Sequence, residues 1–108
     1  MKSLIVVALS LCMASVALAG EIWGTITDAG KPLPAGTKVE VAAGEKTYTG
    51  ETDKDGTYHV FAQEKGKCTL TVYYKDQKPV TSIFSYDKAT RYDWAVETVD
   101  NKLVLKRK

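Results

Sequence analysis

Cys68-Thr69-Leu70-Thr71-Val72-Tyr73-Tyr74-Lys75 is the run on which the reading of this chain turns. Cys68, Leu70, Val72 and Tyr74 fall on one side of a period-two repeat, and Thr69, Thr71 and Tyr73 on the other. Side chains of an extended backbone point alternately to opposite faces, so the pattern predicts a strand with one face in a core. Asp76-Gln77-Lys78-Pro79 ends the run with turn-forming residues and a Pro that has no N–H to give a ladder.

The same alternation continues on both sides. Toward the N-terminus, Thr57 to Gln63 places Tyr58, Val60 and Ala62 together, and Asp53-Lys54-Asp55-Gly56 precedes it as a tight turn. Lys46 to Thr52 and Thr37 to Ala43 are further strands around a Gly44-Glu45 turn, the second with Val39 and Val41 inward. Asp28 to Pro34 is read as irregular, and Glu21 to Thr27 as the first strand, with Ile22, Gly24 and Ile26 on one face. Toward the C-terminus, Val80 to Tyr86 and Arg91 to Val99 alternate, the latter aligning Tyr92, Trp94 and Val96. Asp100-Asn101 is a turn, and Leu103 to Leu105 adds a short last strand if it pairs. No long segment repeats at the helical period. Seven strands, or eight with the last, at roughly ten-residue spacing predict an all-β antiparallel sandwich.

Composition agrees. The chain has 108 residues, 15 Lys+Arg against 13 Asp+Glu, one His, 26% charged and 44% hydrophobic residues. This is ordinary globular composition, and the length accommodates one domain. A formal charge of +2 lacks the basic stripe of a dedicated nucleic-acid binder, so no nucleic-acid partner is expected.

Residues 1–19 read as a secretory signal peptide. Lys2 gives the positive start, Leu4 to Ala14 the apolar stretch, and Ala17-Leu18-Ala19 the small-x-small pattern before cleavage. The apolar run is shorter than the roughly 20 residues a spanning helix needs, so an integral membrane protein is not expected. Leu11 stands where a lipobox needs a small residue, so Cys12 is expected to leave with the signal. The mature domain is then residues 20–108, with Cys68 as a lone thiol and no internal disulfide. A homodimer bridged through Cys68 is the remaining redox reading. Export by a bacterium, to the periplasm or the medium, is the expected localisation.

Gly24-Thr-Ile-Thr-Asp28, Gly30-Lys-Pro-Leu33, Val39-Glu-Val41 and Thr52-Asp53-Lys-Asp-Gly56-Thr-Tyr58 occur in that order. With Gly66-Lys-Cys-Thr-Leu70-Thr-Val72, the series resembles the carboxypeptidase regulatory-like domain over Gly24 to Tyr74. The resemblance implies a seven-stranded, prealbumin-like (transthyretin-like) Greek-key sandwich. It also implies a non-catalytic spacer, folding aid or binding module of exported proteins. Cys68 departs from the family pattern, which has an aromatic there. The transthyretin-like sandwich has an enzymatic branch that hydrolyses 5-hydroxyisourate with several His and Arg residues and a Tyr-Arg-Gly-Ser end. This chain has one His and closes on Leu105-Lys-Arg-Lys108.

Few residues invite chemistry. Asp53 and Asp55 before Gly56 resemble the opening of a calcium loop. Glu64 falls at the twelfth position, but a strand from Thr57 to Gln63 carries it about 20 Å away. A hairpin turn with Asp side chains on the local backbone is the preferred reading, and no cofactor is expected. His59 faces opposite to Tyr58 and Val60 and has no partner nameable from sequence. Cys68 lies on the apolar face as a small hydrophobe. Lys102 and Lys106-Arg107-Lys108 form a basic end that suits a solvated edge strand. Trp23, Phe61 and Tyr73 oppose the apolar faces of their strands, and such outward aromatics anchor protein partners or stack on sugars.

The expected function is therefore an exported, non-enzymatic binding or structural module, acting by protein–protein interaction in the cell envelope or outside the cell. Carbohydrate binding through the same aromatics is the alternative, and a transthyretin-like hydrolase working through His59 a remote one.

Overall fold

A computed structural model describes residues 20–108. The leader and Cys12 lie outside the described residues. Ten strands form: β1 (Glu21–Asp28), β2 (Lys31–Pro32), β3 (Lys38–Ala43), β4 (Lys46–Glu51), β5 (Thr57–Phe61), β6 (Gly66–Val72), β7 (Val80–Ser85), β8 (Thr90–Arg91), β9 (Trp94–Val99) and β10 (Lys102–Arg107). Among the described residues there is no helix, and hence none long and apolar enough to cross a membrane.

Two sheets share one core. The second sheet is an antiparallel ribbon in the order β4-β3-β6-β7. The first is built around β1, with β5 and β2 antiparallel on one flank, β8 and β9 parallel on the other, and β10 outside β9. Inward residues of both sheets fill the space between them: Ile22, Ile26, Tyr58, Val60, Trp94 and Val96 from one, and Val39, Val41, Leu70, Val72 and Ile83 from the other. Alternating burial along β3, β5 and β6 is the pattern expected of half-buried strands.

The architecture departs from the sequence expectation in three places. First, the sandwich is not wholly antiparallel, because β1 runs parallel to β8 and β9. Pairing direction depends on how the long connection travels, and strand periodicity carries no trace of it. Second, the irregular Asp28–Pro34 segment contributes β2, whose two residues pair with Thr27 and Asp28.

Third, the predicted strand over Arg91 to Val99 is divided into β8 and β9. A Cβ on Gly24 would lie 2.0 Å from the Tyr92 carbonyl oxygen, so only glycine lets that carbonyl approach β1. The Tyr92 N–H donates to the Trp23 carbonyl at 2.7 Å. The Asp93 carboxylate then accepts from the Thr25 N–H at 2.8 Å and the Thr25 hydroxyl at 3.2 Å. A side chain thus replaces backbone in the ladder for one step, and the strand breaks there.

The long sides of the sandwich close differently. On one, β4 crosses β5 so tightly that a Cβ on Gly50 would meet the His59 carbonyl oxygen at 2.2 Å. On the other, side chains do the closing. The Tyr92 hydroxyl bonds to Phe84 of β7, and the Gln77 amide oxygen accepts from the Leu103 N–H of β10 at 2.8 Å. Tyr74 ties the same end by donating to Asp28 at 2.9 Å. The β6–β7 and β9–β10 connections each hold two consecutive residues at positive φ, Lys75 and Asp76, then Asp100 and Asn101. That geometry matches the twist of tight hairpins.

Candidate functional site

The most organised surface lies on the outer face of the first sheet. Trp23 of β1 stands opposite His59 of β5 and Arg91 of β8, which flank it on opposite sides. The His59 ring is stacked nearly parallel to the indole, 8° between planes and 6.1 Å between centroids. The Arg91 guanidinium lies over the indole from the other side, 4.7 Å from its centroid. Carboxylates close both ends. Glu21 bonds the His59 Nδ1, and Asp93 accepts from the Arg91 Nε at 3.0 and 3.1 Å. The row therefore reads Glu21, His59, Trp23, Arg91, Asp93, with a carboxylate at each end and the indole at its centre.

The row is rigid for identifiable reasons. Asp93 is held by Thr25 as well as by Arg91, and its pKa lies below the usual carboxylate range. Burial alone raises that pKa, but donation from the Thr25 N–H and from Arg91 outweighs it. The Arg91 guanidinium over the indole adds attraction of about 0.5–1 kcal/mol at an exposed site. Beside the row, Phe61 of β5 sits opposite Glu21 and leaves 44% of its surface exposed.

The three outward aromatics do not share a face. Trp23 and Phe61 belong to the first sheet, whereas Tyr73 follows β6 in the second. There the Tyr73 hydroxyl donates to Glu40 at 3.0 Å, and Lys38 and Lys78 lie over its ring at 4.8 and 5.5 Å. That bond to Glu40 raises the Tyr73 pKa. Tyr73, Tyr74, Lys75, Asp76, Gln77 and Lys78 line an open groove of about 510 Å³.

The remaining sequence candidates have local duties. One Asp53 carboxylate oxygen accepts the Asp55 and Thr57 N–H groups at 2.8 and 3.0 Å, an Asx-type turn. These bonds, Thr57 first, lower its pKa. Asp55 contributes its N–H to that turn. Among the described residues, no three His, Cys, Asp or Glu side chains are grouped to hold an ion. Cys68 is buried and free, its thiol on the Gly66 carbonyl at 3.5 Å, and burial raises its pKa. His59 has Glu21 and Trp23 as its neighbours rather than standing alone.

Sequence reasoning singled out Trp23 but missed Glu21, Arg91 and Asp93. Strand alternation places Glu21 and Trp23 on one face of β1. Only the parallel β1–β8 pairing brings Arg91 to them, and nothing local encodes that pairing. Compared with known proteins, the chain matches no family model and no curated protein.

Proposed function

We propose that this chain is an exported, non-enzymatic binding module, acting through a protein partner in the bacterial periplasm or outside the cell. In this reading it is a prealbumin-like Greek-key sandwich of the carboxypeptidase regulatory-like kind, with residues 1–19 removed. The observation that carries the binding role is Phe61, half exposed beside the locked row of Glu21, His59, Trp23, Arg91 and Asp93. Aromatic and Arg side chains fixed in place lose little entropy on docking, and such residues dominate protein interfaces.

The same geometry ranks a protein partner above a glycan. A sugar stacks on a free aromatic face, but His59 and Arg91 already flank the Trp23 ring from the strands on either side. Tyr73 is flanked by two Lys residues on the far sheet. His59 itself is held by the Glu21 carboxylate and stacked beside Trp23, which suits a place in a docking surface.

The test is affinity capture from envelope and culture fluid with residues 20–108 as bait, beside a Phe61→Ala bait of unchanged melting temperature. A protein retained by the first and lost by the second supports the reading. Equal retention, or none by either, overturns it for this face. Quenching of tryptophan emission by soluble glycans, with no protein retained, would favour the carbohydrate alternative.

A further inference from the structure

Four long strands lie at sheet margins, and each is covered in part. β4 and β5 seal one another at Gly50. β7 has its Phe84 N–H and carbonyl taken by the Tyr92 hydroxyl. β10 is different. Its neighbour on one side is β9, and Leu103 turns its N–H outward to Gln77. On the opposite parity, the Lys108 N–H returns to the Asp93 carbonyl on the β9 side. Leu105 and Arg107 share the parity of Leu103, so their N–H and carbonyl groups also face away from β9. Among the described residues, none of those backbone groups has a partner.

The side chains beside this margin have a definite charge. Lys102, Val104, Lys106 and Lys108 alternate on its outer face, all exposed. Only Lys106 has an ion pair, with Glu97 at 3.9 Å, among the described residues. A second copy pairing β10 against β10 fits poorly. Antiparallel registers centred on Val104 or Leu105 set Lys102 opposite Lys106 or Lys108 of the other chain, and like charges directly opposite are destabilising. An acidic strand reverses every one of those signs.

We infer that the β10 margin is a docking edge for an extended acidic segment of a partner protein, which joins the first sheet as an added strand. Main-chain bonds to Leu105 and Arg107 supply the register. Carboxylates at alternate positions meet Lys102, Lys106 and Lys108, and an apolar residue between them lies on Val104.

The probe is a capped peptide, Glu-Thr-Glu-Thr-Val-Thr-Glu, which in antiparallel pairing sets Glu on Lys108, Lys106 and Lys102 and Val on Val104, added to residues 20–108 while amide resonances and hydrogen exchange are followed. The inference expects saturable binding and new protection at the Leu105 and Arg107 amides. The same peptide N-methylated at alternate residues keeps its charge but loses its donors, and should bind about tenfold or more weakly. Leu105→Pro removes an outward N–H without touching the β9 ladder and should have a similar effect. Lys106→Glu, which leaves the backbone intact, should also weaken binding.

Equal binding of plain and N-methylated peptides would reduce the surface to charge attraction and overturn the inference, as would no binding at millimolar peptide. Capture by phosphatidylglycerol vesicles with no Leu105 protection by peptide would also overturn it, in favour of a membrane-surface role. Phe61→Ala should leave peptide binding unchanged, so this edge and the Phe61 face fail or stand separately.

Discussion

The Tyr92 hydroxyl meets both main-chain groups of Phe84, accepting from its N–H at 3.0 Å and donating to its carbonyl at 3.1 Å. One side chain therefore does for β7 what a neighbouring strand would. The protection matters because Pro79 to Tyr86 contains no charge, and uncharged margins are prone to pair with other chains. Tyr92→Phe keeps the ring stacked on Trp94, 5.8 Å between centroids, but removes the hydroxyl. We expect a loss of about 1 kcal/mol in stability and self-association at high concentration. Sedimentation velocity showing an unchanged monomer fraction would remove the guarding role.

Tyr58 anchors a buried polar chain between the sheets. Its hydroxyl donates to the Tyr92 carbonyl at 2.7 Å and accepts from the Trp94 indole N–H at 3.1 Å, and burial raises its pKa. Tyr58→Phe strands a buried indole donor and a buried carbonyl at once. The expected cost is about 1–3 kcal/mol, larger than for Tyr92→Phe. Urea denaturation of the two variants side by side checks the order.

Two glycines at positive φ should isolate a steric demand, because only one of them is crowded. At Gly24, φ +157°, a Cβ strikes the Tyr92 carbonyl, whereas at Gly30, φ +82°, it meets nothing within 4 Å. Gly30→Ala should cost about 1 kcal/mol, the strain of a left-handed residue. Gly24→Ala must push β8 off β1 and should cost about 3 kcal/mol or more. Equal melting temperatures for the pair would show that the Tyr92 approach carries no strain.

Acid should weaken the fold through Asp93 and Asp53, whose native pKa values are both depressed. A carboxylate lowered in the native state contributes fully above its unfolded value, about 3.9, and that contribution is lost as pH falls through the lower native value. Melting temperature should thus drop from about pH 4 downward, with a shallower drop in Asp93→Asn and Asp53→Asn. An acid slope the same in both variants as in the parent would show that neither group is linked to folding.

Much of this molecule was legible in its alternation. Ile22, Val39, Val41, Tyr58, Val60, Cys68, Leu70, Val72 and Trp94 are buried as their parity predicts. Burial of a side chain depends on its own strand, and a sequence carries that information locally. Companionship does not travel the same way. Arg91 reaches Trp23 only because β8 lies parallel to β1, and Tyr73 parts from Phe61 only because β6 belongs to the other sheet. The division at Tyr92–Asp93 was hidden because Asp93 mimics a backbone acceptor, a role that hydrophobic periodicity does not register.

The central place of β1 has a consequence for the order in which the molecule is made. The strand that emerges first from synthesis is completed by the strands that emerge last, since β8 and β9 form its second flank. β1 must therefore wait, half-paired, through most of the chain, and such long-range closure is slow. A chain stopped after Arg91 should show no cooperative melt by circular dichroism, despite keeping the whole second sheet. A cooperative melt would mean that the second sheet with β5 folds unaided. Until the last strands arrive, the first sheet stays open along the flank that β8 and β9 will fill.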